Sequence, residues 1–243
     1  MRLLFCLFLN LLVLFSFSQK NITTFGIQIK PIVPSELFGT GPITLIEEDV
    51  EFTLTPTLGT NFGMLIRKGL NDNWSIETGI ALVRRNYRLE AFDTNNDIQV
   101  ESKYRFVSYE IPVQALYYIR LGESFYMNAA AGISLDFYPS NIYSNTFGDR
   151  DTLGYQIEQS TNRVHWAQFS LISNLGFEYR TKDKGYFYLG ASFHQQFVRD
   201  MAYVGMTYTL ERGKTSTNTS IQSNYLTLDL RYFFNEKPEK RKR

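Results

Sequence analysis

Alternation at period two is the feature that most limits what this chain can fold into. From Phe125 to Phe137 the odd positions are Phe125, Met127, Ala129, Ala131, Ile133, Leu135 and Phe137. The even ones are Tyr126, Asn128, Ala130, Gly132, Ser134 and Asp136. A helix would scatter these side chains around its axis, whereas a strand sorts them onto two faces. Val107 to Ile119 and Ala167 to Tyr179 sort in the same way, and Leu226, Leu228, Leu230, Tyr232 and Phe234 share a face at the end of the last segment.

The pattern predicts eight strands, at 22–31, 54–69, 73–90, 101–121, 124–139, 162–181, 185–209 and 221–234. Short turns fall at Leu70–Asp72, Gly122–Glu123 and Thr181–Lys184, and long polar loops at 32–53, 91–100, 140–161 and 210–220. An even strand count with short and long connections alternating predicts an all-β fold. The expectation is an eight-stranded antiparallel up-and-down transmembrane β-barrel with short periplasmic turns, long extracellular loops and periplasmic termini. A soluble sandwich would instead have to hide a row containing Tyr109, Tyr117, Phe125, Phe137, Phe169 and Phe177 and expose a face of Gly, Ala and Ser. Small residues suit the crowded interior of an eight-stranded barrel.

The ends and the composition agree with that reading. Arg2, the apolar run Leu3 to Phe17 and Ser16-Phe17-Ser18 before Gln19 have the order of a secretory signal peptide, so residues 1–18 are expected to be cleaved. The run is shorter than the roughly 20 residues of a spanning helix. A lipoprotein signal fails because Cys6 lies inside the run, after Phe5. Residues 19–234 then form the barrel and 235–243 a basic periplasmic tail. Cys6 is the only cysteine, which removes disulfides, thiolate metal sites and cysteine nucleophiles from the remainder. Without Arg2, one of 25 Lys and Arg, the chain is formally neutral against its 24 Asp and Glu, and nothing points to nucleic acid. Mean hydropathy is −0.22 although aromatics make up 16%, as expected where only alternate residues of each strand meet lipid.

Four strands place an apolar residue immediately before an arginine near their periplasmic ends: Ile66-Arg67, Ile119-Arg120, Tyr179-Arg180 and Leu230-Arg231. The alternation puts Arg67, Arg120, Arg180 and Arg231 in the lumen as a ring. Four guanidinium groups at one depth repel one another unless paired. Glu77, Glu178 and Asp229 lie at similar depth, with Glu110 and Asp136 farther up. With Lys30 and Arg85 the lumen would hold six cations and five carboxylates, a balance that favours a structural paired network over an anion site. On that reading Arg120→Ala lowers stability well beyond a surface change. Trp74, Phe125, Phe187, Tyr232 and Phe234 fall in the outward phase as an aromatic girdle at the lipid boundary.

Catalytic patterns are weak. His165 is outward, and the residue two positions on is Ala167, so a His-x-Ser pair fails there. His194 shares a face with Ser192 and, farther along, Asp200, but inside the barrel. No HExxH, GxSxG or EF-hand pattern occurs, so no catalytic, cofactor or metal residues are assigned. The tail residues Lys240, Arg241, Lys242 and Arg243 offer a basic contact for acidic lipid or a partner.

Tyr109-Glu110-Ile111-Pro112-Val113, the Tyr-rich stretch and short turn that follow, and the Ala130-Ala131-Gly132 strand resemble outer-membrane β-barrel proteins of the Bacteroidota, the porin-like or PorT-like group. The Ser-Phe-Ser before Gln19 is similar to that lineage's signal peptides, and Asp151-Thr152-Leu153 to its O-glycosylation tripeptide. The resemblance implies periplasmic termini, no cofactor and, in some members, an accessory place in machines for secretion, motility or barrel assembly. The chain departs from a common barrel feature in carrying nine residues beyond Phe234. The expected function is a non-enzymatic integral barrel of the bacterial outer membrane, embedded in lipid and attached to another envelope protein. Two alternatives stand behind it: a conduit or binding barrel for a small or hydrophobic ligand, and a lipid-modifying enzyme. A general porin is excluded because an eight-stranded lumen is too full to conduct.

Overall fold

The computed structural model describes residues 23–36, 40–147, 154–210 and 213–235. It contains thirteen strands among them: β1 (Thr23–Val33), β2 (Ile43–Glu47), β3 (Val50–Gly69), β4 (Trp74–Asp93), β5 (Ile98–Arg120), β6 (Phe125–Phe137), β7 (Ile142–Phe147), β8 (Tyr155–Arg163), β9 (Ala167–Arg180), β10 (Tyr186–Gln196), β11 (Asp200–Leu210), β12 (Gly213–Gln222) and β13 (Tyr225–Phe233). Residues 1–18, expected to be a signal peptide, Asp151-Thr152-Leu153 and the tail residues 236–243 lie outside the described residues.

Eight of these strands close a ring. The order is β1-β13-β10-β9-β6-β5-β4-β3, and β3 pairs back onto β1. Every pairing around it is antiparallel. Three of its connections are the short turns expected near 70–72, 122–123 and 181–184. Gly185 ends the third with φ +85°, where a side chain would meet the Phe233 carbonyl.

The predicted phase holds around the ring. Along β5, Val107, Tyr109, Ile111, Val113, Ala115, Tyr117 and Ile119 point outward, while Ser108, Glu110, Pro112, Gln114, Leu116 and Tyr118 point in. Thirteen residues of tilted strand from Val107 to Ile119 rise about 25–30 Å, the height of a bilayer's hydrocarbon core. A soluble protein would not leave Phe62, Met64, Leu171, Leu175, Leu189 and Leu230 about half exposed on one continuous wall.

Beyond that belt the faces exchange character. Farther up β5 the outward residues become Arg105, Lys103 and Glu101, and the inward ones Phe106, Tyr104 and Val100. Strands β3 and β4 do the same. Val50, Phe52, Leu54, Leu89 and Ala91 turn inward to pack with Ile157, Val204, Met206 and Ile221 in the largest apolar core of the molecule. The partners come from a second antiparallel sheet, ordered β12-β11-β8-β7, which flanks β5 and β2. Hydrogen bonds from Thr146 to Ser102 (2.9 Å) and from Thr215 to Glu48 (3.1 Å) tie the two sheets together.

This upper layer corrects several expectations. The segments 32–53, 140–161 and 210–220 are not simply loops: they contain β2, parts of β3 and β8, β7 and β12. The segment 91–100 shrinks to the turn between Asp93 and Ile98. The seventh predicted strand, 185–209, is two strands. β10 stays in the ring, and after Phe197 to Arg199 the chain joins the outer sheet as β11. Even positions face inward on both sides of that irregular stretch (Ser192, His194 and Gln196 before it, Ala202, Val204 and Met206 after it), so the pattern on its own does not show the change of partners.

Candidate functional site

The ring's interior holds most of the arginines and all five carboxylates that alternation directs inward, and it is filled. Arg67 and Glu77 are direct cross-strand partners on the β3–β4 hairpin. The Arg67 Nε and Nη2 atoms donate to Glu77 Oε2 at 3.0 and 2.8 Å. Two bonds cross the lumen, and the rest lie within one strand or between neighbours. Arg67 Nη1 donates to Glu178 of β9, and Arg231 Nη1 of β13 donates to Glu77 Oε1 at 2.6 Å. Arg231 Nη2 reaches Asp229 at 2.5 Å, Lys30 Nζ lies 3.4 Å from the same carboxylate, and Arg180 Nε donates to Glu178 at 2.6 Å. One network thus joins β1, β3, β4, β9 and β13.

Aromatic rings cover these cations. The Arg67 guanidinium lies 3.7 Å from the centre of Phe233, Arg231 4.8 Å from Tyr188, and Arg180 4.2 Å from Tyr126. Space for Tyr188 comes from the cross-strand pair Gly176 and Gly190, where a Cβ on either would collide with its hydroxyl. Asp229 is further satisfied by Ser192, Thr227 and Asn174 at 2.5, 2.7 and 3.0 Å. All five predicted carboxylates, Glu77, Glu110, Asp136, Glu178 and Asp229, are buried.

Glu110 and Asp136 sit higher and use mostly neutral partners. Glu110 accepts from the Tyr225 hydroxyl at 2.5 Å, with His194 Nδ1 3.3 Å away; His194 stacks on Tyr225 with centroids 4.2 Å apart. Asp136 accepts from Ser134 at 2.8 Å and Gln196 at 3.0 Å. Arg85 lies over Tyr225 at 4.4 Å and forms no ion pair among the described residues.

Arg120 departs from its expected place. Its side chain is exposed, and its Nε donates to the Gly122 carbonyl of its own turn at 3.0 Å. It pairs with Tyr126 of β6, but β4 begins at Trp74 opposite Tyr117, so the strand on its other side stops short of it and alternation no longer implies burial. The ring of four is therefore three arginines, Arg67, Arg180 and Arg231, joined by Lys30. The destabilisation expected of Arg120→Ala passes to these.

The aromatic girdle stands where the alternation placed it, facing out near the turn end. Trp74 packs on Tyr117 (5.0 Å), Phe125 on Phe177 (5.5 Å), and Tyr232 on both Phe187 (5.1 Å) and Phe234 (5.2 Å).

The residues weighed for catalysis are not assembled. His165 is exposed. The Ser192 hydroxyl donates to Asp229 rather than to His194, and Asp200 stands in the outer sheet, bonded to Ser220 at 3.0 Å. Among the described residues no group of three or more His, Cys, Asp or Glu is placed to hold a metal ion. Sequence reading missed the aromatic lids on the arginines and the whole apolar upper core. The second had a signal: Val50 and Phe52 alternate with Glu51 and Thr53 at the end of the expected loop 32–53, in phase with Leu54 of the expected strand that follows.

A closed antiparallel ring with a lipid-exposed apolar belt, aromatic girdle and polar filled interior defines an integral β-barrel membrane protein. Residues 21–198 match the family described as the outer membrane protein β-barrel domain, and the chain belongs to that family. It is thus an integral β-barrel of the bacterial outer membrane. No curated protein sequence matches the chain. Among solved structures it is similar to the outer membrane protein OprG from Pseudomonas aeruginosa, at 11% identity and a TM-score of 0.44, over 90% of this chain and 99% of that one. It is also similar to the translocator domain of the autotransporter NalP from Neisseria meningitidis, at 9% identity and a TM-score of 0.21, over 93% and 92% of the two chains. At these scores neither neighbour adds to the family assignment.

Proposed function

We propose that this chain is a sealed, non-enzymatic outer-membrane barrel that serves as a structural or accessory component of a larger envelope assembly. In this reading the turns and termini face the periplasm and the outer sheet stands outside the cell. The observation that carries it is that the channel is filled twice over, by the paired network at the girdle and by the apolar core above. A path for solutes would have to breach both. The network's role is structural in this reading, since its arginines are already matched by carboxylates. The resemblance to PorT-like barrels supports the accessory place, by analogy of fold.

The conduit alternative has less support. A recess at the turn end lined by Thr24, Arg67, Tyr118 and Arg180 holds about 210 Å³, and the cavity at the seam between the end of β1, β2 and strands β3, β4, β12 and β13 holds about 40 Å³ and is lined by Ile32, Ile43, Arg85, Ile221 and Tyr225. The second has room for roughly three waters, and both are smaller than the roughly 300 Å³ or more of ordinary ligand pockets.

Affinity purification from native outer membranes in mild detergent, with a tag after Arg243, tests the reading. A stoichiometric envelope protein that survives washing is expected, and a solitary folded barrel sinks the accessory role. Planar-bilayer recordings should show no conductance steps. Sidedness is read separately: with no other cysteine after the leader, Ser216→Cys in the outer sheet should react with an impermeant maleimide on intact cells.

A further inference from the structure

The exchange of face character on β4 and β5 falls at one level and concentrates positive charge there. On the outward face, Leu82 opposite Tyr109 closes the apolar belt. The next rungs pair Arg84 with Val107, Asn86 with Arg105, and Arg88 with Lys103. Four cations therefore occupy three successive outward rungs, directly above the lipid-facing belt. Like charges opposite one another on a sheet face repel, so such a cluster needs an opposing charge. The protein supplies part of it: Glu101 lies 2.8 Å from Lys103 Nζ and 3.5 Å from Arg88 Nε. Arg84 and Arg105 have no carboxylate partner among the described residues, and both are exposed.

Arg105 is held in place without being neutralised. Its Nε donates to Asn86 Oδ1 at 2.8 Å, and Asn86 Nδ2 in turn donates to the Leu58 carbonyl at 2.7 Å. Leu58 stands at the β3 bulge between Thr57 and Thr60 and is 62% exposed, an apolar contact beside the cations. A groove of about 420 Å³ runs over Thr57, Asn86, Arg88, Lys103 and Arg105. From Arg84 to Arg88 the strand climbs roughly 10 Å once tilt is allowed for, comparable to the headgroup layer beside the hydrocarbon core. Guanidinium groups in a fixed array at that depth suit phosphate oxygens, which they bind with charge-assisted, often bidentate hydrogen bonds.

We infer that the β4–β5 outer face binds the phosphorylated headgroup of an outer-leaflet glycolipid, with Arg84 and Arg105 as its principal phosphate contacts and Leu58 against the acyl boundary. The inference rests on the sidedness proposed above, because the opposite leaflet holds no such glycolipid.

The test uses the full-length barrel refolded in detergent and titrated with bisphosphorylated lipid A, with the same lipid after phosphatase treatment, or with phosphatidylglycerol. Retained lipid is counted by native mass spectrometry. Binding of the phosphorylated glycolipid is expected, weakened roughly tenfold or more by Arg84→Gln with Arg105→Gln, and weakened less by Arg84→Lys with Arg105→Lys, which keeps the charge but not the bidentate fork. Unchanged migration in semi-native electrophoresis checks folding of each variant. Equal retention by the Gln variant overturns the site, and so does equal binding of the dephosphorylated lipid. Preference for phosphatidylglycerol overturns the glycolipid assignment. Because the titration involves no cell, it stands apart from the maleimide result: lipid binding with failed surface labelling would overturn the sidedness while leaving the phosphate site intact.

Discussion

The same strands build two interiors of opposite character. Within the girdle, β3, β4 and β13 enclose guanidinium and carboxylate groups. Farther up β4 from Glu77, Leu89 and Ala91 enclose a core with the composition of a soluble protein. Solvent explains the difference. Where lipid covers the wall, outward positions must be apolar and the polar residues have only the lumen left. Where water covers it, the ordinary arrangement returns. The lower interior is held by directional bonds that specify partners, and the upper by packing, so the two should fail in different ways when altered.

The sharpest contrast comes from removing one member of the network. Arg67→Met leaves Glu77 and Glu178 buried short of a cation and is expected to cost about 3–5 kcal/mol in urea unfolding of the detergent-refolded barrel. Loss of the whole ring's cooperativity should accompany it, since Arg67 links β3, β4 and β9. A cost below about 1 kcal/mol would mean that water reaches these groups and that the interior is not sealed.

Truncation in the upper core should be comparable in size but local in reach. Leu89→Ala removes a fully buried side chain, at an expected cost of about 2–5 kcal/mol. Hydrogen exchange should then rise in β7, β8, β11 and β12 while the girdle strands stay protected. Equal loosening of both regions would mean that the two interiors form one cooperative unit.

A smaller effect separates the tip from the rest by pH. At the end of β4, burial tends to raise the pKa of Asp93, but hydrogen bonds from the Asn96 side chain (2.9 Å) and the N–H groups of Asn96 (3.1 Å) and Asn95 (3.0 Å) outweigh it and hold the carboxyl below its usual value. A folded pKa below the unfolded one gives stability that is present above roughly pH 4 and lost as pH falls through the folded value. Amide protection of the β4–β5 turn should therefore drop in acid, and Asp93→Asn should flatten that dependence. The smallest change is expected from Arg120→Ala, within about 0.5 kcal/mol of wild type, because its side chain is already in water.

Period two by itself determined the ring: eight membrane strands, their inward and outward residues, the girdle and the depth of the charged groups. Those follow because lipid on one side and a crowded lumen on the other leave each position one acceptable class of side chain. Tertiary structure decided what alternation cannot encode. Whether Arg120 is enclosed depends on which strands continue past it. Whether the segment after Phe197 stays in the ring or joins β8 and β12 depends on its hydrogen-bond partners, which a strand can exchange without changing its period. Which carboxylate meets Arg67 across the lumen depends on barrel curvature and shear, since Glu178 is 111 residues away in sequence. The upper core was missed for a related reason. A strand in water with an apolar inner face reads as polar and loop-like when judged by the rule for strands in lipid, and only the second sheet folded over it reveals what that face packs against.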